Sequence, residues 1–405
     1  MRKKILVLTS TFPKSGDDLQ PEFVKLLSLQ LRENFDVTVL APHAPDTRAE
    51  EIVSGLNVVR FRYFFTPCQT LAYGSGILTN LKYQPVKWLL VPFFILGLLV
   101  AIIRLTRKVR YDAIHAHWII PQGIAVIGLK LLFRQLPPVV ITSHGSDLFA
   151  FDGRWGRWLK RYVLSKADAI IVVSSAMKMH CVTSLNLAQE KIDVIPMGVD
   201  LDSTFVPRPG IKRGDKDIVF VGRIVEKKGV QYLIRAMLEV IKVEPGVKLT
   251  IIGDGLMKQR LEQEVVDLQL DRWVRFLGAM SNKRLPEHLS ASKIAVVPSF
   301  GHEGLGLVAV EAMGCGCVVV ASDLPALRDV VIDGVTGLLV RQRDHHDLAE
   351  KLIRLLSDDM LCRELSIAGR KSVSEKFDWK DVGQRYTALL TRVIENRNHG
   401  IAAGG

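Results

Sequence analysis

Two successive α/β domains, each built on an open and mostly parallel sheet, are the architecture this sequence predicts. Three observations point to it. At 405 residues the chain exceeds one ordinary core, which favours two domains of roughly 150–200 residues. Short β-branched runs alternate with longer helical patterns, as βαβ units require. The alternation also breaks once, near the middle, and then restarts.

In the first half the strands read KILVLTS (4–10), DVTVLAP (36–42), NVVRFRY (57–63), DAIHAH (112–117), PVVITSH (138–144), ADAIIVVSS (167–175) and KIDVIP (191–196). Helical patterns such as EFVKLLSLQLREN (22–34) fill the intervals. The break, PMGVDLDSTFVPRPGIKRGDKD (196–217), has three prolines, three glycines and no period of two or 3.6, so it reads as a linker. The pattern resumes with DIVFVG (217–222), VKLTIIG (247–253), WVRFLG (273–278), IAVVP (294–298), CVVVAS (317–322) and GLLV (337–340). Open sheets of this kind hold ligands outside the carboxyl ends of their strands, so a cleft between the two domains is the expected site.

An apolar content of 48% with only 7% aromatics fits an ordinary soluble α/β protein. The formal charge of +12 favours an anionic partner, whether phosphate, anionic lipid or nucleic acid. No recognised nucleic-acid-binding motif is present, which sets that partner aside. Five cysteines (Cys68, Cys181, Cys315, Cys317, Cys362) are odd in number and dispersed, which excludes a disulfide framework and favours the reducing cytoplasm. Cys315 and Cys317 lack a second pair and read as small buried residues beside a strand, not as metal ligands. The basic start MRKK precedes an apolar run of only four residues, a first strand rather than a signal peptide.

Two segments of the first half concern surfaces. Residues 88–103 are sixteen uncharged residues between Lys87 and Arg104, short of the about 20 a membrane span needs. Pro92 and Gly97 weaken it further, so a buried or surface-docked helix is expected. RWGRWLKRYVLSK (154–166) has five Lys or Arg, two Trp, one Tyr and no acid. It suits a membrane-surface helix as well as a helix with a solvated basic side.

The chemistry-bearing residues cluster where strands hand over to helices. GRIVEKKG places Arg223 at a strand end and Lys228 at the next helix start, a fork and a point charge for phosphate oxygens. IIGDG (251–255) is a glycine-rich turn without the G-x-G-x-x-G spacing, so a dinucleotide fingerprint is not supported. HEGLGLVAVEAMG (302–314) predicts a helix from near Leu305, with the N–H groups of Gly304, Leu305 and Gly306 at its start. Glu303 stands just outside it and Glu311 within. Eight helical residues rise about 12 Å, beyond the about 5–9.5 Å of a hydrolytic carboxylate pair. The two acids therefore suit opposite ends of one long polar ligand with a charged middle, the form of a sugar nucleotide. In the first half, His115 and His117 share one face of a strand, which fits acceptor ligands or two packed histidines.

The segment Glu303 to Glu311 resembles the E-x7-E motif of retaining glycosyltransferase family 4, the group 1 transferases with a GT-B fold. GRIVEKKG resembles that family's G-R-x4-K-G segment, and VASDLPALRDVVIDGVTGLLV (320–340) its usual sequel. SHGSD (143–147) and the tail FDWKDVGQRYTALL (377–390) are similar as well. The likeness covers nearly the whole chain and is strongest over 217–341. It departs in the first loop, FPKSGDDLQPEF (12–23), where a small-residue pair is usual, and at GCGCVVV (314–320), which lacks a common proline.

What the resemblance implies is specific. The fold would be α/β, GT-B, with two Rossmann-like domains whose parallel sheets face each other across a cleft. Residues 1–200 would bind the acceptor and 201–376 the nucleotide sugar, with a helix at 377–395 packing back towards the first domain. Glu303 would hold hydroxyls of the transferred sugar and Glu311 the ribose. Arg223 and Lys228 would bind the diphosphate, with Gly304, Leu305 and Gly306 lining the donor. His144 would contact the donor sugar near the reacting centre, and Asp147 and His117 are acceptor-side candidates. No metal and no cofactor are implied. The donor would be UDP-, GDP- or ADP-linked, and the acceptor an envelope glycan or lipid-linked. The expected location is cytoplasmic, peripheral on the inner face of an anionic membrane. A sugar-nucleotide epimerase of the same architecture and a non-catalytic sugar-nucleotide-binding protein are the alternatives.

Overall fold

The computed structural model describes residues 2–14, 22–45, 47–74, 76–133 and 135–402. The expected departure in the first loop lies largely outside the described residues, at 15–21. The chain forms two compact units, Met1–Pro196 with Val382–Gly405, and Met197–Asp381.

The first unit is built on β1 (Lys3–Leu8), β2 (Phe35–Pro42), β3 (Glu50–Val53), β4 (Leu56–Phe61), β5 (Ala113–His117), β6 (Val139–Ser143), β7 (Ala169–Val172) and β8 (Ile192–Val194). They lie in the order β3-β4-β2-β1-β5-β6-β7-β8. All neighbours run parallel except β3, which pairs antiparallel with β4. Every residue of β5, β6 and β7 is buried, as expected where helices cover both faces of a parallel sheet. The edge strand β3, EEIV, was not anticipated. Its two acids and partial exposure make it polar enough to hide among loop residues.

The second unit carries β9 (Asp217–Val221), β10 (Lys248–Ile252), β11 (Val274–Gly278), β12 (Ile294–Val297), β13 (Val318–Ser322) and β14 (Leu338–Val340). Their order is β11-β10-β9-β12-β13-β14, with every pairing parallel. Its core joins β9, β10 and β12 to the amphipathic helices Val230–Val243 and His345–Ser357 through residues such as Ile218, Leu233, Met237, Leu249, Val296 and Leu352.

One expectation about a segment needs correction. The stretch 196–217 is no free linker: Val199, Leu201 and Phe205 are buried, and the Arg213 guanidinium donates to the carbonyl of Cys315 at 2.8 Å. Its apolar residues obey no period because it packs as irregular chain. The C-terminal helix Trp379–Ala402 places Tyr386, Leu389 and Leu390 in the core of the first unit, where Arg385 donates to the Val194 carbonyl at 2.7 Å.

The apolar run near residue 90 forms a helix, Val91–Lys108, after a 3-10 turn at Pro85–Leu90. By length and composition Pro85–Lys108 could cross a membrane. One face is nevertheless packed on the unit, through Phe94, Leu98 and Ile102. Phe94 meets Phe61 and Tyr63 edge-on, with ring centroids 5.1 and 5.0 Å apart. The opposite face is exposed, with Phe93, Leu96 and Val100 on it.

Candidate active site

In the second sheet the strand order reverses between β9 and β12, the switch point where open α/β sheets leave a ligand crevice. The loops following these two strands are tied together. Phe300 N–H donates to the Lys227 carbonyl at 2.8 Å. Gly229, at φ 72°, lies so close to the β12 loop that a Cβ would stand 1.9 Å from the Pro298 oxygen. Only glycine closes this junction.

The junction concentrates charge. Lys228 Nζ meets Glu303 Oε1 at 2.6 Å, with the Glu303 side chain only 10% exposed. Burial alone would raise the Glu303 pKa. The Lys228 ammonium, which also hydrogen-bonds it, and the Lys227 charge outweigh that and hold the carboxylate below its ordinary value. Burial pushes the Lys227 pKa down, Glu303 opposes this, and Lys228 and Arg223 push it further down. Arg223 is exposed, and its side chain has no hydrogen-bond or ion-pair partner among the described residues. Two cations, Lys228 and Lys227, thus act on one carboxylate, and the Arg223 charge is felt at Lys227.

The next helix begins at Leu307, two residues later than the sequence suggested, because Gly306 takes a left-handed φ of 89°. A Cβ there would stand 2.4 Å from Leu327 Cδ2. Gly304 and Leu305 therefore belong to the loop, Leu305 buried and Gly304 partly exposed. The N–H groups that open the helix belong to Leu307 and its successors. Only the part of the Glu303–Glu311 separation from Leu307 on is helical, so the 12 Å rise expected of eight helical residues does not apply. Glu311 sits among the buried Ala309, Val310, Ala312 and Met313. Burial pushes its pKa up to about 7, and its carboxyl has no partner among the described residues. An unpartnered acid on an apolar helix is a group shaped for a hydrogen-bonding ligand.

Sequence reasoning missed three neighbours. Lys227 was overlooked beside Lys228. Phe300 carries Arg343 over its ring, 4.2 Å from the centroid, with Tyr232 edge-on at 5.9 Å. Gln342 accepts from Gly301 N–H at 3.4 Å and donates to the Asp323 carbonyl at 3.0 Å. Contacts from β9, β12 and β14 loops far apart in sequence carry no local signal.

In the first unit, a second cluster occupies the carboxyl ends of β5 and β6. His117 Nδ1 and His144 Nε2 share a hydrogen bond at 2.9 Å, their rings stacked. His115 Nε2 bonds Thr142 Oγ1 at 2.8 Å. Burial is the main cause that holds the His144 pKa down to about 3 and that of His117 well below its usual value. These rings are neutral at ordinary pH. Asp147 Oδ2 accepts from Ile119 N–H at 2.7 Å, and its Oδ1 from Ser143 Oγ at 2.9 Å and His144 N–H at 3.3 Å. Burial nevertheless pushes the Asp147 carboxyl up. Beneath the loop, buried Lys160 donates to the carbonyls of Leu148 and Ala150 at 2.5 and 2.9 Å.

His117 is fully buried and Asp147 is 3% exposed. Both are acceptor-side candidates from the sequence; in the structure each hydrogen-bonds His144, which is the partly exposed member of the three. Phe23 and Trp118, which sequence reasoning did not single out, flank the His144 ring at centroid distances of 4.7 and 5.2 Å. Trp118 has φ 74° and ψ 139°, a backbone state that costs on the order of 1–3 kcal/mol and marks functional loops. Its N–H is held by the Thr142 carbonyl at 2.8 Å.

Arg223, Lys228, Glu303, Gly304, Leu305, Gly306 and Glu311 thus share the second unit, and His117, His144 and Asp147 the first. All five cysteines are free thiols, four of them buried. Among the described residues one group, Glu239, His345 and His346, on helices Val230–Val243 and His345–Ser357, brings three possible metal-ligating atoms together.

A family model described as glycosyl transferases group 1 matches residues 203–372, and one described as glycosyltransferase family 4 matches 22–203. An uncharacterized glycosyltransferase of Methanocaldococcus jannaschii is 33% identical over 271 residues, which are 66% of this chain and 72% of that protein. A phosphatidyl-myo-inositol mannosyltransferase of Mycolicibacterium smegmatis is 27% identical over 382 residues, 93% of this chain and 89% of its own. Sucrose-phosphate synthase from Thermosynechococcus elongatus matches with a TM-score of 0.80 at 22% identity, covering 98% of this chain and 100% of that one. Anabaena Alr3699/HepE, solved in complex with UDP-glucose, gives 0.70 at 19% identity, covering 96% and 99%. The two solved structures share the GT-B fold with this chain.

Proposed function

We propose that this chain, a transferase that belongs to the group 1 glycosyltransferases, moves a hexose-type sugar from a nucleotide diphosphate donor to an envelope glycan or glycolipid with retention of configuration. The observation that carries the reading is Glu303 held by Lys228 and Lys227, with the Arg223 charge beside Lys227, in the loop that leads to the helix start at Leu307. In the transfer the bond between the sugar C1 and the diphosphate oxygen breaks, and its electrons leave with the diphosphate. Positive charge fixed where that negative charge grows lowers the barrier more than it strengthens ground-state binding.

The remaining roles follow from the surroundings. Lys228 keeps Glu303 ionised and oriented, so that it accepts hydrogen bonds from sugar hydroxyls. Glu311, unpartnered, accepts from the ribose. His144, neutral and braced by His117 and Asp147, offers a hydrogen bond to the donor sugar. The cations and the helix start supply the charge a divalent ion would otherwise bring, so catalysis proceeds without metal. HepE was solved with UDP-glucose and the mannosyltransferase relative is named for a phosphatidylinositol acceptor, which supports a nucleotide-sugar donor and a lipid-borne acceptor here. Attachment to the inner face of an anionic membrane, from the cytoplasm, would present that acceptor, with the exposed face of Val91–Lys108 and the basic aromatic helix Arg154–Lys166 as the docking elements.

The test incubates the protein and a membrane extract with UDP-, GDP- and ADP-linked sugars labelled in the sugar. Label should move into lipid or glycan with one nucleoside diphosphate released per transfer, and the product anomeric proton should keep the donor's configuration. Label confined to the nucleotide pool as an altered sugar would mean an isomerase, and binding without turnover would mean a binding protein; either result overturns the proposal.

A further inference from the structure

A cavity of about 950 Å³ lies in the first unit, at the amino ends of β5 and β6. Tyr111 and Asp112 lead into β5, and Pro137 and Pro138 lead into β6. His117 and His144 stand at the other ends of the same strands. Each strand has five residues, which at about 3.3 Å apiece put the cavity roughly 16 Å from the histidine cluster. Its occupant is therefore not the reacting acceptor group.

The lining combines two chemistries. Ile103, Leu129, Leu132, Phe133, Leu136 and Ile394 make an apolar wall, and Arg107, Arg110 and Arg397 share the space with it. The one acid, Asp112, is committed elsewhere, accepting from Lys4 N–H at 2.7 Å with Lys3 Nζ at 3.8 Å. Arg397 gives one N–H to the Leu136 carbonyl. Arg107 and Arg110 have no ion-pair or side-chain hydrogen-bond partner among the described residues. Unpaired guanidinium groups against an apolar wall complement a ligand with an anionic head and a hydrocarbon body.

The helix leads there. Phe93, Leu96, Val100, Ile103 and Arg107 recur at steps of three and four, so they share one face of Val91–Lys108. Phe93, Leu96 and Val100 are exposed by 47%, 58% and 38%, and Ile103 and Arg107 then enter the cavity wall. At the neighbouring helix end, Leu132 and Phe133 are exposed by 77% and 44%. An apolar stripe that ends in paired arginines and a hollow is a path for a lipid, not a plain surface.

We infer that this cavity takes an acyl chain of an anionic phospholipid whose phosphate lies on Arg107 and Arg110, as an anchor separate from the donor and acceptor sites. The inference rests on the membrane-attachment part of the function proposed above, and it can fail by itself. Monomeric dihexanoyl-phosphatidylglycerol, below its micelle concentration, probes the cavity without a bilayer. Phosphatidylcholine vesicles with and without phosphatidylglycerol probe attachment. The wild-type chain should bind the short-chain lipid saturably, and inorganic phosphate at equal concentration should not displace it. Arg107→Glu with Arg110→Glu should weaken that binding by at least roughly tenfold, and Leu132→Asp should weaken it also. Leu96→Asp, on the stripe outside the cavity, should leave it unchanged and reduce vesicle binding. Nucleotide-sugar binding should be unaltered in all three, which shows that they fold. Absent saturable binding, full displacement by inorganic phosphate, or indifference to the cavity variants would each overturn the inference. Vesicle binding that survives such a failure leaves membrane attachment standing without the cavity. Short-chain binding without any vesicle binding would overturn the anchor and leave only a lipid-binding cavity.

Discussion

Lys228 and Glu303 meet at 2.6 Å in loops still partly open to solvent, whereas His117 and His144 meet at 2.9 Å with His117 closed off completely. In the first cluster the neighbouring charges decide the protonation state: they hold Glu303 ionised against the burial that opposes it. In the second, burial decides, and it keeps the imidazoles neutral. A charged ligand group is met by matching charge, and a neutral one by a fixed tautomer and shape. The contrast teaches that a strand end can be prepared for phosphate or for sugar by choosing whether water or packing surrounds it.

Removing Lys228 should break the comparison most visibly. Lys228→Ala takes away the cation nearest Glu303 and should lower kcat by roughly 10²–10³-fold, the scale of one lost charged transition-state contact. Arg223→Ala, at an exposed position, should cost at least tenfold. Steady-state kinetics on variants with unchanged circular dichroism check both, and unchanged kcat in the two would remove the phosphate role.

His144→Ala should follow, with kcat reduced roughly ten- to hundredfold through a lost hydrogen bond in the transition state. Because burial holds the ring near pKa 3, the wild-type rate between pH 5.5 and 8 should show no step that disappears in this variant. A step near 6.5 lost with His144 would mean that the ring is solvated and charged in the working enzyme.

The effect of Glu311→Gln should be smaller and differently distributed. Donor KM should rise about tenfold with kcat nearly unchanged, since ribose is held alike in ground and transition states. Burial pushes the wild-type carboxyl up to about 7; in the proposed role its ionised form accepts from ribose hydroxyls, so donor affinity should strengthen as pH rises through 7. The variant should lack that step. The sign for stability is opposite. The folded pKa is raised above the ordinary 4.5, so the stability of the neutral form is present below 4.5 and lost as pH rises through about 7. Glu311→Gln should therefore melt a few degrees higher than wild type at pH 8 and level with it at pH 4. Equal melting at both would place Glu311 in water. Smallest of all, EDTA should change the rate by less than about twofold, if the cation group and the helix start face the phosphates as proposed.

How far these sites could be read in advance follows the same contrast. The sequence singles out Lys228 and Glu303, which the structure brings together, because each stands beside glycine where a strand hands over to a helix. The strands were legible because β5 to β7 are buried throughout and read as unbroken apolar runs. Phe300 with Arg343, and Phe23 with Trp118, were not legible, since each pair joins segments far apart in sequence and uses residues common in any core. The roles of Asp147 and His117 are harder to read for a related reason. A polar residue at a strand end looks the same in sequence whether it meets a ligand or satisfies backbone N–H groups, as Asp147 does for Ile119 and His144.

The central claim is that the cations of the β9 loop favour the diphosphate as it departs over the diphosphate still bonded to sugar. Once released, the diphosphate carries additional negative charge, so the claim predicts a selective loss. Calorimetric titration of wild type and Lys228→Ala with the cognate nucleoside diphosphate and with its sugar conjugate measures this without knowledge of the acceptor. The nucleoside diphosphate should lose roughly tenfold more affinity than the sugar nucleotide does. Equal losses for the two ligands would show that Lys228 holds ground state and leaving group alike, and would contradict the account.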